Sequence, residues 1–215
     1  MLNEKELGYV LISIIVLVFA VVFKDILSSN LNYLNLILLT MFIALIILVN
    51  LLAKKLTAHY YQAELQTRTW HWQRFGFARE KRFKKPVPIG IIGPIVVTLL
   101  SQGNFLLMSV LESNIEGTSA RAAKSHGRFR FTEMTDAHMG IIIASGVVAN
   151  LVLAIIAYFL DLGQLATLSI YYAAYSVIPF GNLDGTKIFF GNKNLWATLT
   201  LITAIFLSYA LFIPR

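Results

Sequence analysis

Residues 34–53 run for twenty positions without a charge. At about 1.5 Å per residue, a helix of that length covers roughly the 30 Å hydrocarbon core of a bilayer. Four further stretches share the character: 8–27, 139–160, 165–179 and 195–213. The expected fold class is an all-α membrane protein with about five transmembrane helices. A membrane-associated β-strand/hairpin insert, cytoplasmic and interfacial, occupies 54–138 between the second and third. Residues 1–215 read as one membrane domain, with no internal repeat. Composition agrees: 57% of residues are hydrophobic and 13% charged, against about 25% charged in ordinary soluble domains. The first apolar block is preceded by "NEKE" and followed by Lys24 and Asp25. It has neither the basic flank nor the small-x-small site of a signal peptide, and reads as a retained span.

Charge sets the orientation. Residues 54–86 carry Lys54, Lys55, Arg68, Arg74, Arg79, Lys81, Arg82, Lys84 and Lys85 against Glu64 and Glu80. The linker between the first two spans has Lys24 alone. The positive-inside rule places the basic loop and the N-terminus in the cytoplasm, with the plasma membrane as the expected location. Lys81, Arg82, Lys84 and Lys85 form the part expected to face lipid headgroups. Tyr60, Tyr61, Trp70 and Trp72 suit the headgroup level, and "ELQTRTWHWQRF" has strand period. The net charge of +7 is spent on topology; no nucleic-acid-binding motif is present. No cysteine is present either, which excludes disulfides, thiolate metal sites and a cysteine nucleophile.

The apolar stretch 87–110 is punctuated by Gly90, Gly93, Pro94 and "SQGN". It reads as a hairpin or re-entrant element rather than a sixth straight span. The crossing count decides where later residues lie. With the hairpin not crossing, the third span leaves the cytoplasm and the fourth returns after the short link "DLGQ". Asp184 then arrives on the same side as Asn50 and Lys54.

Those three residues are the conspicuous polar groups. Asn50 and Lys54 stand one helical turn apart at the end of a lipid-like helix. Asp184 sits in "SVIPFGNLDGTK", 176–187, where Pro179, Gly181 and Gly185 interrupt the apolar run. An ionisable residue beside broken membrane helix marks a functional site, though Asn182-Leu183-Asp184-Gly185 also fits a plain surface turn. Lys54 likewise fits a snorkelling lysine.

Taken in order, these motifs resemble the site-2 protease family, the intramembrane zinc metalloproteases. That family carries H-E-x-x-H on one transmembrane helix and N-x-x-P-x-P-x-x-D-G on a later one. Residues 176–185 match the later motif at Pro179, Asp184 and Gly185, with Ser176 and Gly181 as replacements. "SGVVANLVLA" resembles the family's Gly-Pro-x-x-Asn helix, with Gly146 and Asn150 kept and Val147 replacing Pro. The likeness covers 34–206. At the H-E-x-x-H position stand Asn50-Leu51-Leu52-Ala53-Lys54. The two histidines that would reach one zinc and the glutamate that would manage its water's proton are replaced by Asn50, Lys54 and Leu51. The resemblance makes Asp184 a former zinc ligand.

No other histidine restores the set. His59, His71, His126 and His138 lie at no helical ligand spacing, although a zinc held by His59, His71 and Asp184 remains an alternative. Hence no catalytic residue, no metal and no cofactor are expected, with zinc confined to that alternative. The resemblance implies an inactive relative that binds or scaffolds transmembrane or extended peptide clients in the bilayer. An active metalloprotease with atypical ligands and a small transporter subunit are the competing readings. The missing metal charge and the new lysine together predict an ion pair, with Lys54 Nζ within about 4 Å of the Asp184 carboxylate and Asn50 as its hydrogen-bond partner.

Overall fold

The computed structural model describes residues 4–29, 32–74, 82–118 and 134–210. Seven helices are found among them: α1 (Glu4–Leu27), α2 (Tyr33–Tyr60), α3 (Ile89–Leu100), α4 (Asp136–Phe159), α5 (Gly163–Val177), α6 (Asp184–Gly191) and α7 (Lys193–Ala210). Four strands lie between α2 and α4: β1 (Ala63–Thr69), β2 (Trp72–Arg74), β3 (Arg82–Val87) and β4 (Leu111–Gly117). The expected helical fold with a strand-containing insert is therefore present. Of the five expected spans, α1, α2 and α4 are long and apolar enough to cross a membrane. The 15 residues of α5 and the 18 of α7 fall outside that class.

The second helix shows why this chain belongs in lipid. Leu34, Ile37, Met41, Leu45, Leu48, Leu52 and Leu56 form an unbroken exposed stripe along it. The opposite face buries Leu39, Ile43, Ile47, Asn50, Leu51 and Lys54. Apolar residues outward and polar residues inward is the pattern a bilayer selects. Asn32 starts the helix, its side chain accepting the Leu34 N–H at 3.1 Å; this satisfies one donor the helix cannot. The helix runs on to Tyr60, beyond the end expected at residue 53. Its 28 residues span about 42 Å, more than the hydrocarbon core needs. Lys54 and Lys55 thus sit on a rigid helix rather than on its frayed end.

Antiparallel pairing joins β1 to β4, with Thr67 opposite Ser113, and β2 to β3, with Trp72 opposite Val87. The strand period of "ELQTRTW" is realised: burial alternates along β1. β4 lies at the start of a segment that charge alone marks as polar surface. Its strand is made by Leu111, Ser113 and Ile115, which alternate inward.

The 87–110 element doubles back on itself, as its Gly and Pro residues suggest, but its first limb is helical rather than strand. The 12 residues of α3 rise only about 18 Å. Extended chain then returns to the starting point: Trp70 donates its N–H to Val110 O at 2.8 Å and accepts from Gly90 N at 2.9 Å. The two ends of the element therefore flank one residue.

At the start of α4, Thr135 Oγ1 caps the helix by accepting the His138 N–H at 3.4 Å and lies 2.6 Å from the His138 ring. The cap is thus Thr135, and His138 stands inside the first turn of the helix. The short link 160–162 folds α5 back onto α4, and residues 178–183 carry the chain from α5 into α6.

Candidate functional site

Lys54 leaves the buried face of α2 and ends in an ion pair. Its Nζ stands 2.5 Å from Asp184 Oδ2. Both side chains are almost wholly buried, at 3% and 7% exposure. The pairing expected from the substitutions is present, between residues 130 apart in the chain. Ser113 of β4 completes it. Its Oγ accepts from Lys54 Nζ at 3.4 Å, and its backbone N–H donates to Asp184 Oδ1 at 3.2 Å. Lys187, one turn beyond Asp184 on α6, donates to the Ser113 carbonyl oxygen. A single residue of the ribbon is thus gripped by both lysines and the aspartate.

The electrostatics follow from this geometry. Burial by itself would raise the Asp184 carboxyl. The Lys54 and Lys187 ammonium groups, with the hydrogen bonds from Lys54 and Ser113, outweigh it and hold the carboxyl below its ordinary value. The first turn of a helix also favours a negative charge. Burial lowers the Lys187 ammonium, against the pull of Asp184 and Glu112. Burial raises the Glu112 carboxyl, opposed by the His71 backbone N–H and by Lys187.

Two glycines make the cluster possible. A Cβ at Gly146 would lie 2.5 Å from Lys54 Cε and 2.8 Å from Asn50 Nδ2, so only glycine lets α4 pass the polar face of α2. A Cβ at Gly185 would strike the carbonyls of Val177 and Ile178. Without one, α6 starts directly against the end of α5, which aims Asp184 back at Lys54. Pro179 and Asn182 lie in the exposed turn before α6; of the 176–185 motif, Asp184 is the residue bonded to the lysine.

Asn50 corrects one expectation. It is fully buried, but neither side-chain atom has a hydrogen-bond partner among the described residues, and the same holds for Asn150. Lys54 reaches past Asn50 to the strand, so Ser113 makes the bonds assigned to the asparagine. The Asn150 backbone carbonyl accepts from Ser169 Oγ at 2.8 Å, tying α4 to α5. Leu51 is buried in the apolar core of the bundle.

The donor set does not fit zinc. Both Asp184 oxygens are engaged by Lys54 and Ser113, and Asn50 and Lys54 are not the imidazoles such a site requires. Among the described residues no group of three His, Cys, Asp or Glu side chains converges as a metal site. His71 Nδ1 instead donates to the Thr69 carbonyl at 2.5 Å, and His59 lines a separate cleft beside β1. His126 and Lys81 lie outside the described residues. Arg82 and Lys84 lie on β3, and Lys85 on that strand is exposed.

Ser113 and Lys187 are the site residues that sequence reasoning missed. Lys187 stands three positions after Asp184, on the same helical face, a spacing that could have flagged it. Ser113 carried only the weak alternation of Leu111, Ser113 and Ile115.

No family model, curated protein or solved structure matches the chain.

Proposed function

We propose that this chain is a metal-independent, proteolytically inactive relative of the site-2 proteases that binds extended segments of membrane-protein clients. The Lys54–Asp184 pair supports this reading above all. An ammonium stands against the one carboxylate that the resemblance makes a zinc ligand, so the charge of a lost metal is replaced from within the chain. The glutamate that proton transfer would need has become Leu51, which packs in the core.

On this reading α5 and α7 join α1, α2 and α4 as spans. The N-terminus and basic loop lie in the cytoplasm of a plasma-membrane protein, with Lys81, Arg82, Lys84 and Lys85 toward anionic headgroups. Clients enter the cleft of about 1070 Å³ that runs beside β1 between α1 and α2. Its lining mixes apolar Leu52, Leu56 and Leu65 with polar Glu64, Arg68 and His71. An extended peptide meets such a lining with backbone bonds and alternating side chains.

The test places a photo-crosslinking amino acid at Glu64, on β1 in the cleft. The full chain is co-expressed with a single-pass test protein that carries an extended juxtamembrane segment. Crosslinking to that segment, with the test protein intact, is the expected result. Cleavage of the test protein that Asp184→Asn abolishes, or one zinc per purified chain, would overturn the reading.

A further inference from the structure

The adjacent lysine repeats the arrangement on the other side of the ribbon. Lys55 Nζ lies 2.6 Å from Glu6 Oε2 on α1, and Glu6 Oε1 accepts the backbone N–H of Thr67 at 2.9 Å. Thr67 is the cross-strand partner of Ser113. In an antiparallel ladder, opposite residues alternate between exchanging bonds and pointing them outward. Thr67 and Ser113 both donate to carboxylates outside the ribbon, so theirs is an outward pair. By the same alternation Ala63 and Leu65 present their backbone groups outward along β1, into the cleft that Lys5, Glu6, Lys55 and Leu65 line. The Glu6 carboxylate therefore occupies the acceptor position that a backbone carbonyl of a docked strand would take.

The two sides differ in how firmly they are held. Asp184 is gripped by Lys54, Ser113 and, through charge, Lys187 at the centre of the fold. Glu6 belongs to the first turn of α1, where helix ends open most readily. The two carboxylates are equally buried, at 8% and 7% exposure, but the lysine of Glu6 is 21% exposed, against 3% for Lys54.

We infer that the Glu6–Lys55 pair is a latch: the start of α1 closes the outer edge of β1, and a client strand binds only when Glu6 withdraws from Thr67. This rests on the client-binding reading above and adds its regulation. Release gives up the Thr67 bond, which the carbonyl of the incoming strand replaces, and the ion pair that holds Glu6 to Lys55. It leaves the Lys54–Asp184 pair untouched, so the fold persists while the edge opens.

Two measurements on the full chain in nanodiscs test this, comparing the parent with Glu6→Gln and Lys55→Met. The first is amide hydrogen exchange. At least a tenfold faster exchange over 63–69 is expected in both variants, with α2 and α4 protected as in the parent. The second is binding of a fluorescent ten-residue Thr/Val peptide with alternate amides N-methylated, which leaves it one pairing edge. A proline-substituted version is the control. Both variants are expected to bind the pairing peptide at least tenfold more tightly than the parent, and to ignore the control. Unchanged exchange overturns the latch. Faster exchange with equal peptide affinity in parent and variants also overturns it while leaving the cleft a binding site. Faster exchange with no peptide bound by any form overturns the client reading and the latch with it.

Discussion

Thr67 and Ser113 face each other across the β1–β4 ribbon, and each donates its outward N–H to a carboxylate held by one of two consecutive lysines of α2. Successive residues on a helix point about 100° apart. Lys54 and Lys55 therefore diverge, one into the bundle and one toward α1, and fix the ribbon from both edges.

Removing one partner of the buried pair should cost far more than removing both. Lys54→Met strands the Asp184 carboxylate, and a lost partner in a buried ion pair destabilises by about 3–5 kcal/mol. The double variant Lys54→Met/Asp184→Leu should recover most of that loss. Unfolding in detergent, followed for the four members of this cycle, gives the coupling. Additive single effects would contradict the direct pairing.

A methyl group at Gly146 has nowhere to go. Gly146→Ala should destabilise by about 1–3 kcal/mol, the usual cost of overpacking. Combination with Lys54→Ala should give back part of it by clearing the Cε contact. Thermal unfolding of the two variants and their combination checks this.

Acid should dissolve the cluster in a predictable direction. The Asp184 carboxyl is held below its ordinary value, so the folded state prefers it ionised. The stability it contributes is complete above the unfolded value of about 3.9 and is lost as pH falls through the lower folded value. Glu112 has the opposite sign: its carboxyl is raised, so its contribution is complete below about 4.3 and is lost as pH rises through the folded value. Asp184→Asn should flatten the acid limb of stability against pH, and Glu112→Gln should remove the opposing limb.

Metal should matter only if the ligands are put back. Chelator or added zinc should leave the melting temperature of the parent unchanged. The triple variant N50H/L51E/K54H recreates two imidazoles one turn apart beside Asp184, and frees that carboxylate from its lysine. It should bind one zinc per chain by elemental analysis, with a melting temperature that falls on chelation.

The parts of this architecture visible in the sequence are those governed by local pattern. A lysine and an asparagine on a lipid-like helix, and an aspartate beside glycine and proline, stand out against their surroundings. Pairing partners drawn from distant strands do not. Ser113 is 59 residues from Lys54 and 71 from Asp184, and nothing near it in the chain announces a contact. The helical limb of the 87–110 element is hidden for another reason: Pro94 inside α3 removes one helical bond, and local preference does not show that the other turns survive. Asn50, at the other former ligand position one turn from Lys54, reads from the sequence as its hydrogen-bond partner. The length of the lysine, which carries its charge to the strand, decided otherwise.

The 130-residue separation of Lys54 from Asp184 has a consequence for synthesis. At about 5–20 residues per second, α2 waits on the order of ten seconds before α6 exists. Throughout that interval the lysine lacks the carboxylate that it pairs with in the fold, and an ammonium without that partner favours water over the apolar interior. The last turns of α2 can settle to their final depth only when Asp184 arrives. Membrane insertion of the second helix is thus finished by the sixth, and a chain truncated before Asp184 would carry a helix held shallow by its own charge.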